Sequence, residues 1–188
     1  MGDSDDGVAS EKLAEELLRE NDKLRALYVA TYQMHSAFDP GEVLRTLLEI
    51  LVNFVGAKTF AVYVLDDEPR LLRPVCAEGM ALPGAVALGD GIIGRVGATG
   101  ESHLADVGPA GPEPRICIPL RLADRVAGVV AIWDFLVQKT GLLEVDFELF
   151  HLLAAHAASA LEAACRAAET GRSPLRYETL AGLLEPAR

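Results

Sequence analysis

Residues 89–105 read GDGIIGRVGATGESHLA, and two apolar segments follow, RICIPLRL at 115–122 and RVAGVVAIWDF at 125–135. Gly89, Asp90 and Gly91 form a turn signal, residues 92–98 have room for two helical turns before Gly100, and residues 101–105 return to extended chain. The two apolar segments, joined at Ala123 and Asp124, read as a hairpin. Pro119 lacks an N–H for a ladder, so it marks a bulge or an outward-facing edge position. A crossover of this kind roofs one face of a sheet, and beneath it lies either a cavity or a plain core.

Upstream, TFAVYVL at 59–65 is β-branched and aromatic on both faces, as in a central strand. Asp66, Asp67, Glu68 and Pro69 make a short turn, so residues 70–77 return antiparallel. These consecutive acids lack the glycine and spacing of a calcium loop and read as a solvated tip. Asp39 and Pro40 suit the cap and first turn of a helix whose apolar face is Val43, Leu44, Leu47, Leu48, Leu51, Phe54 and Val55, ended by Gly56.

Residues 8–38 carry a heptad seam at Leu13, Leu17, Leu24, Leu27, Met34 and Phe38, with Glu20 and Thr31 at its polar positions. Two readings stand: a helix that dimerises, or an amphipathic helix lying on its own domain. Residues 142–169 form a last long helix with a mostly small face that includes Phe150, Ala157 and Leu161. Ser173 and Pro174 then start a short helix bearing Tyr177, Leu180, Leu183 and Leu184. Strands and helices are segregated, which predicts an α+β fold with an antiparallel sheet. The expected division is an acidic tail at 1–7, the helix at 8–38, the domain at 39–169 and an extension at 170–188.

The 188 residues suit one domain with extensions, and 51% are hydrophobic, enough for a substantial core. A net charge of −11 disfavours nucleic acid as a partner. Cys76, Cys117 and Cys165 are odd in number and lack metal-ligand spacing, so they read as reduced and buried. The acidic start and the lack of a long apolar run point to a soluble cytoplasmic protein with no membrane contact. His151 and His156 are five apart on one helix, about 140° around it, and do not share a metal.

Taken together, GDGIIGRVGATGES, then ICIPL-x5-VAGVVAIW, then LLEVDFELFHLLAAHAASAL resemble a GAF domain. The matching positions are Gly89, Gly91, Gly94, Gly100, Pro119, Leu120, Gly128 and Asp146, and a phenylalanine usual before the last helix is replaced by Leu142 or Leu143. The resemblance implies an antiparallel sheet of five or six strands, with the crossover over one face and the terminal helices bundled on the other. PAS domains share that architecture but not the hairpin ending in a long helix.

The family includes ligand sensors, dimerisation modules and a few enzymes. The residue sets of its cyclic-nucleotide and bilin binders are not found here. Its free methionine sulfoxide reductases need reactive cysteines in and beside the loop at 106–114, which has none. Haem ligation by His103 is a minor alternative to a histidine with no ligand role. No catalytic residue, metal or cofactor is therefore expected. Geometry suggests a pocket from Ile93, Arg95, Val96, Leu104, Asp106, Ile116, Ile118, Val129, Ala131 and Trp133, the alternative being that side chains fill the space. The resulting expectation is a regulatory module that homodimerises through the heptad seam with Phe150, Ala157 and Leu161. A protein partner would dock at the C-terminal helix, unless that helix folds back on its own domain. A ligandless dimeric scaffold and a cysteine redox enzyme are the alternatives.

Overall fold

The structure is a computed structural model. It describes residues 14, 17–18, 21, 24–25, 28–29, 31–32, 34–37, 39–66, 70–105, 111–136, 144–168, 177–181 and 183. The described residues at positions 14–36 are helical. Asp39, in extended conformation, caps α1 (Pro40–Ile50) by accepting a hydrogen bond from the Gly41 N–H at 2.9 Å. A π-helical turn, Leu51–Val55, continues α1 and ends at Gly56 in the left-handed region.

Six strands follow: β1 (Ala57–Asp66), β2 (Leu71–Glu78), β3 (Val86–Ala87), β4 (His103–Leu104), β5 (Ile116–Leu122) and β6 (Arg125–Phe135). Between β3 and β4 runs the crossover helix α2 (Gly91–Thr99). Two helices close the described chain, α3 (Glu144–Ala168) and α4 (Tyr177–Leu180). Among the described residues the sheet order is β3-β2-β1-β6-β5-β4 with every pairing antiparallel, so the expected α+β architecture of five or six strands holds with six.

Period-two alternation sorts the strand residues onto two faces. Phe60, Val62, Val64, Ile116, Ile118, Leu120, Val130 and Ile132 pack against α1 and α3 in the larger core. Ala61, Tyr63, Leu72, Cys117, Val129 and Ala131 form a smaller core under α2 with Ile93 and Val96. Pro74 stands opposite Tyr63 where the β1–β2 register slips, and Val75 and Cys76 consequently both join the larger core. Pro119 pairs with Val129 of β6 and lies beyond the short β4 pairing, one residue before the register slip at Leu120. Its missing N–H therefore costs no ladder bond on that side.

The helices contribute to the larger core in ways that revise the expected interfaces. Met34 is 1% exposed and belongs to it, as do Phe150, Ala157 and Leu161. These four side chains, expected on a dimer seam, are buried in the chain's own larger core. The reason is area: one broad sheet face needs α1, α3 and the end of the N-terminal segment to cover it. Leu180 is also fully buried in that core, and Tyr177 packs against it with Arg73 over its ring at 5.4 Å. The C-terminal helix thus folds back on its own domain at these two positions, while Leu183 is exposed. Leu13, Leu27, Phe38 and Leu184 lie outside the described residues. Asp146 is the one charged side chain buried among the described residues; it sits in the first turn of α3, where unpaired N–H groups favour a carboxylate.

β1 and β6 approach closely at Gly128, where an added Cβ would collide with the carbonyl oxygen of Tyr63. Gly128→Ala is expected to destabilise the fold by about 2–3 kcal/mol through overpacking against backbone. Gly84→Ala, whose Cβ would meet nothing within 4 Å, should stay within about 0.5 kcal/mol of wild type. Urea denaturation midpoints of the two variants check this contrast.

Candidate functional site

The crossover lies tightly on the sheet. A Cβ at Gly97 would stand 2.6 Å from Leu72 Cδ1 and 2.9 Å from Leu88 Cδ2, so the helix settles onto side chains rather than over a void. Ile93, Val96, Val129 and Ala131 come together there in one buried cluster with Tyr63, Leu72 and Cys117. Strict alternation along β1 and β5 would have found Tyr63 and Cys117. It also corrects Ile116 and Ile118, which face the helices on the other side of the sheet.

The two polar candidates are committed elsewhere. The Trp133 indole N–H donates to the Pro112 carbonyl oxygen at 3.1 Å, so its partner is the chain leading into β5. Arg95 is exposed, and its Nε donates to the Gly91 carbonyl oxygen at 3.2 Å. It lines an outer groove of about 190 Å³ with Ile92, Val96, Thr99, Glu101, Ser102 and His103. Leu104 is exposed, and Asp106 lies outside the described residues.

A second concavity of about 370 Å³ lies between the N-terminal segment and α3, lined by Leu24, Tyr28, Thr31, Tyr32, His35, Leu152 and His156. Leu17 is 57%, Leu18 65%, Tyr28 77% and Tyr32 69% exposed, and Leu24 and Val29 are exposed as well. One side of this helical segment therefore exposes six apolar side chains, with Asn21 and Arg25 exposed among them. Sequence reasoning placed Leu17 and Leu24 on a seam, but it missed Tyr28 and Tyr32. A 3.5-residue period picks one stripe, and only the docking of Met34 shows which side faces inward.

All three cysteines are buried. Burial pushes the Cys76 thiol up to about 12, with a backbone hydrogen bond at Val62 opposing and the Glu78 charge adding to it. Burial alone pushes Cys117 up to about 12. Such thiols stay protonated at neutral pH and are poor nucleophiles. Tyr63 rises to about 12 through burial and, secondarily, Cys117 beside it. Among the described residues no group of three or more His, Cys, Asp or Glu side chains converges on a metal position. Among those residues, too, no helix is long and apolar enough to cross a membrane.

These shifts have a measurable sign. An unfolded thiol ionises around its ordinary value of 9.0, whereas folded Cys76 and Cys117 hold their protons to about 12. Between those values the unfolded chain binds fewer protons, so stability is retained below pH 9 and falls as pH rises above it. The expected slope is about 1.4 kcal/mol per pH unit per thiol, read by urea denaturation across that range. Ellman labelling at neutral pH should be slow in the folded chain and reach all three thiols only after unfolding.

Comparison with known proteins places this geometry. A family model described as GAF domain matches residues 39–163. The GAF domain of a phosphoenolpyruvate-protein phosphotransferase from Acinetobacter superposes with a TM-score of 0.63 at 16% identity, covering 81% of this chain and 98% of that one. The free methionine-R-sulfoxide reductase of Neisseria meningitidis, in complex with its substrate, gives 0.63 at 20% identity over 79% and 93% of the two chains. The second GAF domain of DevS from Mycobacterium smegmatis gives 0.50 at 25% identity over 70% and 96%. A comparison with curated proteins found no match. The identities to the Acinetobacter and Neisseria structures speak for the fold alone. With residues 39–163 matched by the family model and the six-stranded sheet roofed by its crossover helix, this chain belongs to the GAF domain family.

Proposed function

We propose that this chain is a non-catalytic GAF-type regulatory module that pairs with a second copy of itself through the N-terminal helix and passes a change in packing to a protein partner. GAF domains are commonly regulatory or sensory modules. The observation that carries the proposal is the exposed apolar strip of Leu17, Leu18, Leu24, Tyr28, Val29 and Tyr32 on a helical segment anchored at Met34. A strip of this length on one helix is costly to leave in water and matches the self-complementary surface of a two-fold dimer. The buried thiols support the non-catalytic reading.

The route for a change runs through the sheet. β5 and β6 contact α2 on one face and form the larger core with α3 on the other. A shift of the crossover therefore reaches α3 across one layer of side chains, and from α3 it reaches the N-terminal helix. Such coupling needs a bistable packing, which helix–helix contacts supply. The close seating of Gly97 on Leu72 and Leu88 supports a partner-driven change over a ligand enclosed there.

Native mass spectrometry of the full chain should give a dimer at bare protein mass. Leu17→Glu combined with Leu24→Glu should give a monomer whose Tm stays within a few degrees of wild type, since neither side chain is in the core. A wild-type monomer, or a dimer that survives both charges, would remove this helix as the interface.

A further inference from the structure

His35, near the end of the N-terminal helical segment, and His156 on α3 turn ring nitrogens toward each other, with His35 Nε2 and His156 Nδ1 3.1 Å apart. The rings meet edge-on at 89° with centroids 5.2 Å apart. His35 is exposed and His156 half-buried, so water and small ions reach the pair. A neutral imidazole has one nitrogen with a proton and one with a lone pair. In the direct ring–ring hydrogen bond one ring gives the proton and the other the lone pair.

The same spacing suits two ligands of one ion. With metal–nitrogen bonds of about 2.0–2.1 Å, two nitrogen ligands stand about 2.9 Å apart at a right angle and about 3.3 Å apart at the tetrahedral angle. The observed 3.1 Å lies between these limits, so the backbone of neither helix has to move far. The groove around the pair presents Leu24, Leu152, Thr31 and the two tyrosines, with no carboxylate among its described lining residues. Oxygen-seeking cations such as magnesium and calcium have little to hold there, whereas imidazole suits zinc, nickel and copper.

We propose that His35 and His156 form a two-imidazole site for a divalent late transition cation, zinc or copper, that pins the N-terminal helix to α3. On binding, the donor ring moves its proton from the inward to the outward nitrogen. Both rings remain neutral, each contributes one lone pair, the ion sheds two waters, and no proton is released on balance. Water fills the remaining coordination positions. The ion ties residues 121 positions apart in sequence and stiffens the helix through which the module is proposed to pair. The site itself needs one chain and stands whether or not that pairing occurs.

The test uses the full chain without a histidine tag, titrated with zinc chloride by calorimetry and with copper chloride by electron paramagnetic resonance. One zinc ion per chain is expected, with magnesium in excess failing to displace it. The copper signal should carry coupling to two imidazole nitrogens. His35→Ala and His156→Ala should each weaken zinc binding by more than about tenfold, and the double variant should remove it. Zinc binding that survives the double substitution would overturn the proposal. Should the variants fail to fold, the copper spectrum of the wild-type chain decides: fewer than two coupled imidazole nitrogens would overturn it as well.

Discussion

The antiparallel pairing of β1 with β6 is the constraint on which the rest of the structure depends. Both strands are buried on both faces, so each must be covered twice. Two covers follow from that need. α1, α3, Met34 and Leu180 close one side, and the crossover helix with Leu72 closes the other. Gly128 sets the separation, because any side chain there would push β6 off the Tyr63 carbonyl. Both cores are thus built on one ladder. In a regulatory fold this matters more than the burial itself: the sheet is a thin wall with a helix layer on each side.

That wall explains why the N-terminal helix stands apart from the rest of the molecule. Its inner end is fastened by Met34 in the core and by the His35–His156 contact, while Leu17, Leu18 and Tyr28 remain in water. Burial that would normally hold an amphipathic helix on its own domain is supplied here at one end of the described segment. The remaining apolar side chains are the surface through which pairing with a second copy is proposed. The fastened end lies against α3, and α3 rests on β5 and the rest of the larger core.

The polar groups divide along the same lines. An indole such as that of Trp133 seeks an acceptor, and a guanidinium such as that of Arg95 seeks an anion. Trp133 found its acceptor in Pro112, and Arg95 lies along its own helix. The three cysteines are buried, as isolated cysteines in apolar runs are most readily accommodated. The histidine pair had no sequence signature: the two residues are 121 positions apart, and only helix packing brings them together.

Local chemistry determined the elements: the cap at Asp39, the stop at Gly56, the two hairpins and the crossover all follow from residue types in adjacent positions. Periodicity determined that β1 is apolar on both faces and that the helices are one-sided. Tertiary structure decided which face met which layer. Ile116 and Ile118 turned to the helices and Cys117 to the crossover, because a single register choice assigns every residue of a strand. It also decided that Phe150, Ala157, Leu161 and Leu180 belong to the domain's own core. An apolar stripe states that a surface must be covered. What covers it depends on the area each neighbouring layer leaves bare, and that quantity exists only once the chain has folded.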